Sequence, residues 1–179
     1  MQQSNRAILF LAGLRGTGKS VVGKLVAKIL GIRHVDLDEA ISETAGKSIA
    51  EIFSDGGERS FRFLESTELI HVCQNGPSVV SLGGGACVEP QNRKVIRAAG
   101  KTVWLTGSPE ILLQRIEGDS KSESDRPPLT DLFAMEEIQL LQAARHDGYK
   151  ECADLVLDTD TSKPDELAQR ICQWWNDSR

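Results

Sequence analysis

Residues 13–20 read Gly13-Leu14-Arg15-Gly16-Thr17-Gly18-Lys19-Ser20. This stretch follows a continuous apolar run, Ala7 to Ala12, and opens a segment whose apolar residues recur at helical spacing. A strand, a glycine turn and a helix N-terminus in that order are the context of a phosphate-binding P-loop. In such a loop, backbone N–H groups converge on phosphate oxygens and the helix dipole adds positive potential. The stretch therefore predicts a nucleoside triphosphate site. A glycine-rich surface loop is the weaker alternative, because it would not need the flanking strand and helix.

Two side chains at the end of this loop carry the expected chemistry. The ammonium of Lys19 would neutralise the β- and γ-phosphates, and the hydroxyl of Ser20 would bind Mg²⁺. We expect nucleotide contacts from the whole stretch and the residue after it: Gly13, Arg15, Gly16, Thr17, Gly18, Lys19, Ser20 and Val21.

Length and composition indicate one ordinary globular domain over residues 1–179. Of the 179 residues, 40% are hydrophobic and 26% charged, and the formal net charge is −5. That charge argues against a nucleic-acid or acidic-membrane partner, because polyphosphate surfaces attract excess Lys and Arg. An anion must therefore be bound by a local cluster of cations. With no long heptad pattern, we expect a monomer.

The cysteines and the N-terminus indicate a reducing compartment. No CxxC pair or metal-ligand spacing occurs, so we expect reduced, mostly buried thiols. Met1 to Arg6 is polar and lacks a signal-peptide core, so we expect a cytoplasmic protein. The cysteines are Cys73, Cys87, Cys152 and Cys172.

Strand-like apolar runs alternate with helical segments along the chain. This alternation predicts a parallel sheet with right-handed crossovers and helices on both faces, a three-layer α/β fold. Ligands of such sheets lie outside the carboxyl ends of the strands. The predicted strands are Ala7–Ala12, His34–Leu37, Ser78–Leu82, Lys101–Thr106 and Asp154–Asp158. The predicted buried helix faces are Val22, Leu25, Val26 and Ile29, and Leu167, Ile171 and Trp174.

A polar segment, residues 117–128, departs from this packing pattern. Composition alone favours a solvated loop. A phosphoryl-transfer site must exclude water, so the P-loop favours a mobile lid over about residues 117–130, with Arg126 as its working cation. The core would then comprise residues 7–118 and 131–176.

Two further stretches follow predicted strands and indicate the acceptor side. Alternation along a strand would place Asp36 and Asp38 on one side. Asp36 would hold Mg²⁺ through water, and Asp38 would bind a substrate hydroxyl or take its proton. An N-cap role for Asp38 is the alternative. Gly83-Gly84-Gly85 predicts a wall that a ligand approaches closely, or else a tight turn.

Arg62 and Arg145 are candidate anion ligands, because a planar guanidinium suits bidentate capture of a carboxylate or phosphate. Each arginine alone is more often a solvated helix charge. The residues therefore leave their role open.

Six stretches in this order closely resemble the shikimate kinase family: GLRGTGKS (13–20), DLD (36–38), GERSFR (57–62), SLGGGA (81–86), DRPPL (125–129) and VLDTDTSKP (156–164). The resemblance runs from Ile8 to about Trp175. It implies a nucleoside-monophosphate-kinase-like P-loop fold with a five-stranded parallel sheet. It also implies transfer of the γ-phosphoryl of ATP, with Mg²⁺, to the 3-hydroxyl of shikimate.

The resemblance also implies roles for individual residues. Asp38 would bind the acceptor hydroxyls within an acceptor region of about residues 38–75. Arg62 and Arg145 would clamp the carboxylate, beside Gly83, Gly84 and Gly85. Arg126 would contact the transferred phosphate. The adenine side would be formed by Arg115 and by Thr159 to Pro164.

One departure and several rival functions bear on this interpretation. Asp147 stands where the family commonly has a proline, two residues after Arg145, and would weaken the clamp unless its side chain points to solvent. Gluconate kinase, a nucleotide kinase and a non-catalytic relative are the alternatives. The glycine triplet with Arg62 favours shikimate. A GTPase is disfavoured because no NKxD-type guanine motif is present.

Overall fold

The computed structural model describes residues 8–118 and 134–178 of the chain. The strands are β1 Ile8–Ala12, β2 Arg33–Asp36, β3 Ser78–Ser81, β4 Gly100–Thr106 and β5 Leu155–Asp158. The helices are α1 Lys19–Leu30, α2 Leu37–Ala45, α3 Ile49–Gln74, α4 Pro90–Ala99, α5 Pro109–Glu117, α6 Ala134–Cys152 and α7 Pro164–Asp177.

The five strands form one parallel sheet in the order β2-β3-β1-β4-β5. Strand β1 is central and fully buried, so its apolar run reflects burial on both faces. Its alternate residues serve two cores: Phe10 packs with the α2–α6 side and Leu11 with α1 and α7. The predicted three-layer α/β fold is therefore confirmed.

The predicted buried face of α1 was wrong at Ile29, which is 55% exposed. The face toward the sheet consists of Val22, Gly23, Val26 and Ala27. The small residues Gly23 and Ala27 are buried on this face. The apolar periodicity had instead assigned Leu25 and Ile29 to it. In α7 the deeply buried tryptophan is Trp175 rather than Trp174.

The boundary between β2 and α2 differs from the prediction in a way that affects the site. The strand ends at Asp36, and helix α2 begins at Leu37. The Asp36 carboxylate accepts the backbone N–H of Asp38 at 3.1 Å and so caps α2. Alternation along an extended strand had placed Asp38 on the same side as Asp36 in the sequence analysis. That reasoning was wrong, because Asp38 lies in the first turn of α2. The cap is Asp36, not Asp38.

Helix α3 forms the outer wall of the acceptor side. It begins with a capping box between Ser48 and Glu51 and bends at Gly57, whose φ is 65°. The bend precedes the turn that carries Phe61 and Arg62. It therefore separates an N-terminal part, residues 49–56, from the part that faces the glycine triplet.

The four cysteines are free thiols, three of them buried and Cys73 half-buried. Burial raises the pKa of Cys73 to about 11. In residues 8–118 and 134–178 no helix is both long and apolar enough to cross a membrane.

Candidate active site

The loop between β1 and α1 has the backbone that its glycines predict. Gly16 has φ 85°, and a Cβ there would lie 2.9 Å from the carbonyl oxygen of Leu112. Only glycine fits this conformation and this close approach. Gly18 caps α1 in the left-handed region, so the loop turns directly into the helix N-terminus.

Internal hydrogen bonds fix the shape of the loop. The carbonyl of Leu14 accepts the Thr17 hydroxyl at 2.8 Å and the Lys19 ammonium at 2.8 Å. Thr17 is almost fully buried, so it braces the loop from inside. Lys19 thus lies over the concave side of the loop at the start of α1, where phosphates bind in P-loops.

The candidate metal ligands are in contact. The Ser20 hydroxyl donates to Oδ2 of Asp36 at 2.5 Å, while Oδ1 of Asp36 caps α2. One carboxylate therefore joins the P-loop helix to the helix that carries Asp38. Within the described residues no three His, Cys, Asp or Glu side chains form a metal cluster. Mg²⁺ bound with a nucleotide needs only one or two protein ligands.

A cavity of about 890 Å³ surrounds the P-loop. It brings together residues that are far apart in sequence, because Arg115 donates to the Thr159 hydroxyl at 2.9 Å and to its carbonyl at 2.6 Å. The same guanidinium reaches the carbonyl of Gly16 at 3.3 Å. Among the described residues, ten of those predicted to bind nucleotide line this cavity, and Gly13 does not. The ten are Arg15, Gly16, Thr17, Gly18, Lys19, Ser20, Val21, Arg115, Thr159 and Pro164. Thr159 is itself buried.

A second cavity, of about 500 Å³, adjoins the first. Asp38 and Arg15 line both cavities. Every residue predicted to bind the acceptor lines this second one: Asp38, Arg62, Gly83, Gly84, Gly85 and Arg145. These residues come from α2, α3, the loop after β3 and α6. They are far apart in sequence, and the fold brings them together at one edge of the sheet.

Glu65 is a site residue that the sequence analysis missed. It is fully buried and accepts Nη1 of Arg62 at 2.7 Å through Oε2. Its Oε1 has no hydrogen-bond partner in the described part of the chain. Burial raises the pKa of Glu65, and the nearby Arg62 guanidinium opposes that rise. Its place three residues after Arg62 on α3 was the available sequence signal.

Arg62 is fixed from two sides. Its guanidinium also contacts Glu58 at 3.1 Å, and only 16% of its side chain is exposed. The Arg62 Cζ lies 5.3 Å from the centroid of the Phe61 ring. Phe61 stacks on Phe53 with ring centroids 4.9 Å apart. The cavity therefore has an apolar wall, missed from sequence, beside its charged wall.

Helix α6 supplies the opposite side. The hydroxyl of Tyr149 donates to the carbonyl of Gly84 at 2.5 Å, and burial raises the pKa of this phenol. A Cβ at Gly84 would lie 2.8 Å from Nη1 of Arg145. The side chain of Asp147 is fully exposed and contacts His146 at 3.1 Å. The departure at Asp147 therefore does not face the cavity.

The predicted lid lies almost entirely outside the described residues, and so does Arg126. Helices α5 and α6 flank that segment, and both line the acceptor cavity through apolar residues such as Ile116 and Ile138. The prediction about Arg126 remains a prediction.

The central strand leads into a P-loop with an acidic residue beside it, and the adjoining cavity includes Arg62 and Arg145. These features define a P-loop kinase with a small acidic acceptor. A sequence model described as shikimate kinase matches residues 15–176, and the chain belongs to the shikimate kinase family.

Individual relatives agree with this assignment. The shikimate kinase of Rhodopirellula baltica is 40% identical over 163 residues, which cover 91% of this chain and 87% of the relative. The solved shikimate kinase of Acinetobacter baumannii in complex with shikimate superposes with a TM-score of 0.89 at 29% identity, covering 98% of this chain and 96% of that one.

A gluconokinase from Sinorhizobium meliloti matches less closely, with a TM-score of 0.61 at 16% identity and 97% coverage of both chains. At that identity the likeness shows the shared fold alone. The predicted nucleoside-monophosphate-kinase-like fold and the predicted family are thus confirmed.

Proposed function

We propose that this chain transfers the γ-phosphoryl of ATP to the 3-hydroxyl of shikimate, giving shikimate 3-phosphate and ADP. The observation that carries the proposal is the second cavity. Its lining includes the guanidinium groups of Arg62 and Arg145, the carboxylates of Asp38 and Glu65, and a glycine wall. It adjoins the P-loop cavity, with Asp38 and Arg15 lining both. A compact polyhydroxylated carboxylate matches that combination of charge and hydrogen-bonding groups.

On the nucleotide side, Lys19 binds the β- and γ-phosphates and leaves the Leu14 carbonyl when they arrive. Ser20 and, through water, Asp36 are the groups that would hold Mg²⁺; their oxygens already lie 2.5 Å apart. When bound, the ion neutralises charge on the phosphates. The Arg115–Thr159 pair, with Pro164, forms the adenine side.

On the acceptor side, Asp38 orients the 3-hydroxyl and accepts its proton during transfer. It is 8% exposed and lies where both cavities meet. A largely dissociative transition state requires positioning and charge neutralisation more than a strong base. We assign the first to Asp38 and the second to Lys19, together with Arg126 from the lid.

Arg62 and Arg145 bind the carboxylate of the acceptor. Glu65 holds Arg62 in place through Oε2. Phe53 and Phe61 cover the carbon face of the ring. The proposal also includes Mg²⁺ as the metal, a monomeric state and a cytoplasmic location.

The test is an ADP-release assay with Mg²⁺ and ATP that compares shikimate, gluconate and AMP. Turnover with shikimate alone is expected. Shikimate methyl ester is the matched control, because it keeps the ring and hydroxyls and removes only the charge that Arg62 and Arg145 would bind. An ester as good as the acid would refute the clamp, and turnover with gluconate or AMP alone would refute the assigned acceptor.

A further inference from the structure

Two polar side chains beneath the first turn of α1 have no part in the mechanism above. They are His34 on β2 and Ser81 on β3. Nε2 of His34 lies 2.9 Å from Oγ of Ser81, and that hydroxyl donates to the backbone carbonyl of Lys19 at 3.1 Å. Ser81 is almost fully buried, and His34 is half-buried.

Helix α1 approaches this pair unusually closely. A Cβ at Gly23 would lie 2.7 Å from Nε2 of His34 and 2.8 Å from Oγ of Ser81. A side chain at position 23 would displace His34 and Ser81 or move the helix away from them. The absence of one lets the sheet reach the backbone of the turn that begins with Lys19.

One arrangement of hydrogen atoms makes both contacts of Ser81 hydrogen bonds. In it, Ser81 donates its one hydroxyl proton to the Lys19 carbonyl and accepts Nε2–H of His34. The Nε2–H tautomer satisfies all three groups.

The same face of β2 also binds Ser20, the residue that follows Lys19 in α1. Side chains two residues apart on a strand share a face, so His34 and Asp36 both point toward α1. Asp36 binds the Ser20 hydroxyl directly, and His34 reaches Lys19 through Ser81. The two residues that would bind the phosphates and Mg²⁺ are thus anchored side by side, Ser20 directly to β2 and Lys19 to β2 through Ser81 of β3.

We propose that His34 and Ser81 are positioning residues that set the orientation of Lys19 and Ser20 for Mg·ATP. The inference rests on the proposed function only in that the P-loop binds ATP. It does not depend on which acceptor is used.

The experiment compares four variants of the full-length chain. His34→Ala and Ser81→Ala break the relay, and His34→Gln keeps an N–H donor on a side chain of similar reach. Ser78→Ala is the matched control, because Ser78 is equally buried at the other end of the same strand. Its hydroxyl makes one long contact, 3.5 Å from the Gly76 carbonyl, within the part of the chain that the structure describes. Mg·ATP affinity is measured by calorimetry without acceptor, followed by KM and kcat for both substrates.

We expect His34→Ala and Ser81→Ala to weaken Mg·ATP binding about 3- to 10-fold, the range for one lost hydrogen bond. The KM for shikimate should stay within about twofold, and His34→Gln and Ser78→Ala should bind Mg·ATP like the wild type. Unchanged Mg·ATP affinity in the folded alanine variants would overturn the proposal. So would equal losses for both substrates, or a glutamine variant no better than alanine.

Failures of the two proposals are distinguishable. A wrong acceptor would abolish turnover with shikimate in every variant and leave the order of Mg·ATP affinities intact. If His34→Ala does not fold, Ser81→Ala compared with Ser78→Ala decides the outcome, because both remove one buried hydroxyl from the same strand.

Discussion

Replacing Gly85 by alanine tests the carboxylate clamp without touching a charged group. Gly85 does not have a positive φ, so alanine can adopt its backbone conformation. The new Cβ would lie 2.6 Å from Cζ of Arg62. Carbon atoms are in favourable contact at about 3.5 Å or more, so the guanidinium must retreat by about 1 Å. The clashing atoms belong to the end of the Arg62 side chain and not to the backbone, so we expect the fold to tolerate the change.

This movement of the Arg62 guanidinium should weaken binding of the acceptor carboxylate. A hydrogen bond to a charged group contributes about 1.5–3 kcal/mol, which corresponds to roughly 10- to 150-fold in affinity. We therefore expect Gly85→Ala to raise the KM for shikimate by about that factor at saturating ATP. The KM for ATP should change less than about twofold, because Gly85 does not line the nucleotide cavity.

A double-mutant cycle supplies the control. In an Arg62→Ala background the guanidinium is absent, so Gly85→Ala should cause little further loss. Steady-state ADP release with shikimate as the varied substrate measures all four proteins. The reasoning is refuted if Gly85→Ala costs the same with and without Arg62, or if both KM values rise together.

Three further substitutions separate the remaining roles. Lys19→Ala should abolish transfer, because its ammonium is assigned to the β- and γ-phosphates; wild-type turnover in the ADP assay would contradict the P-loop assignment. Asp38→Asn should lower kcat by about 100-fold or more while calorimetry shows unchanged ATP binding, whereas a collapse of ATP affinity would assign Asp38 to the metal. Arg115→Ala loses its bonds to Thr159 and should raise the KM for ATP about tenfold with little change for shikimate; equal changes in both would argue against an adenine-side role.

The elements that local chemistry dictates were predictable from sequence. The P-loop glycines have no structural substitute at their φ values, and strands buried on both faces leave continuous apolar runs. The order of motifs identified the family. The glycine triplet and Arg62 line one cavity, which the family resemblance implied and the position of Arg62 alone did not.

The missed features depend on tertiary packing. Glu65 resembles any helix acid three residues from an arginine until α3 packs against the glycine triplet and buries it. The apolar Phe53–Phe61 wall looks like ordinary core in a helical pattern. The end of β2 was misplaced because Asp36 and Asp38 are equally good N-cap residues in the sequence. Only the direction of the Asp36 side chain, which accepts the Asp38 N–H, shows which of them caps α2.

The shared carboxylate of Asp36 has a consequence for anyone redesigning this enzyme. Because one side chain secures both Ser20 and the turn that bears Asp38, position 36 offers no route to altering one substrate's fit independently of the other's. The glycine triplet and the second half of α3 line the acceptor cavity and not the nucleotide cavity. New acceptor specificities are therefore accessible from those two segments, while the ATP-binding half of the protein is left as it stands.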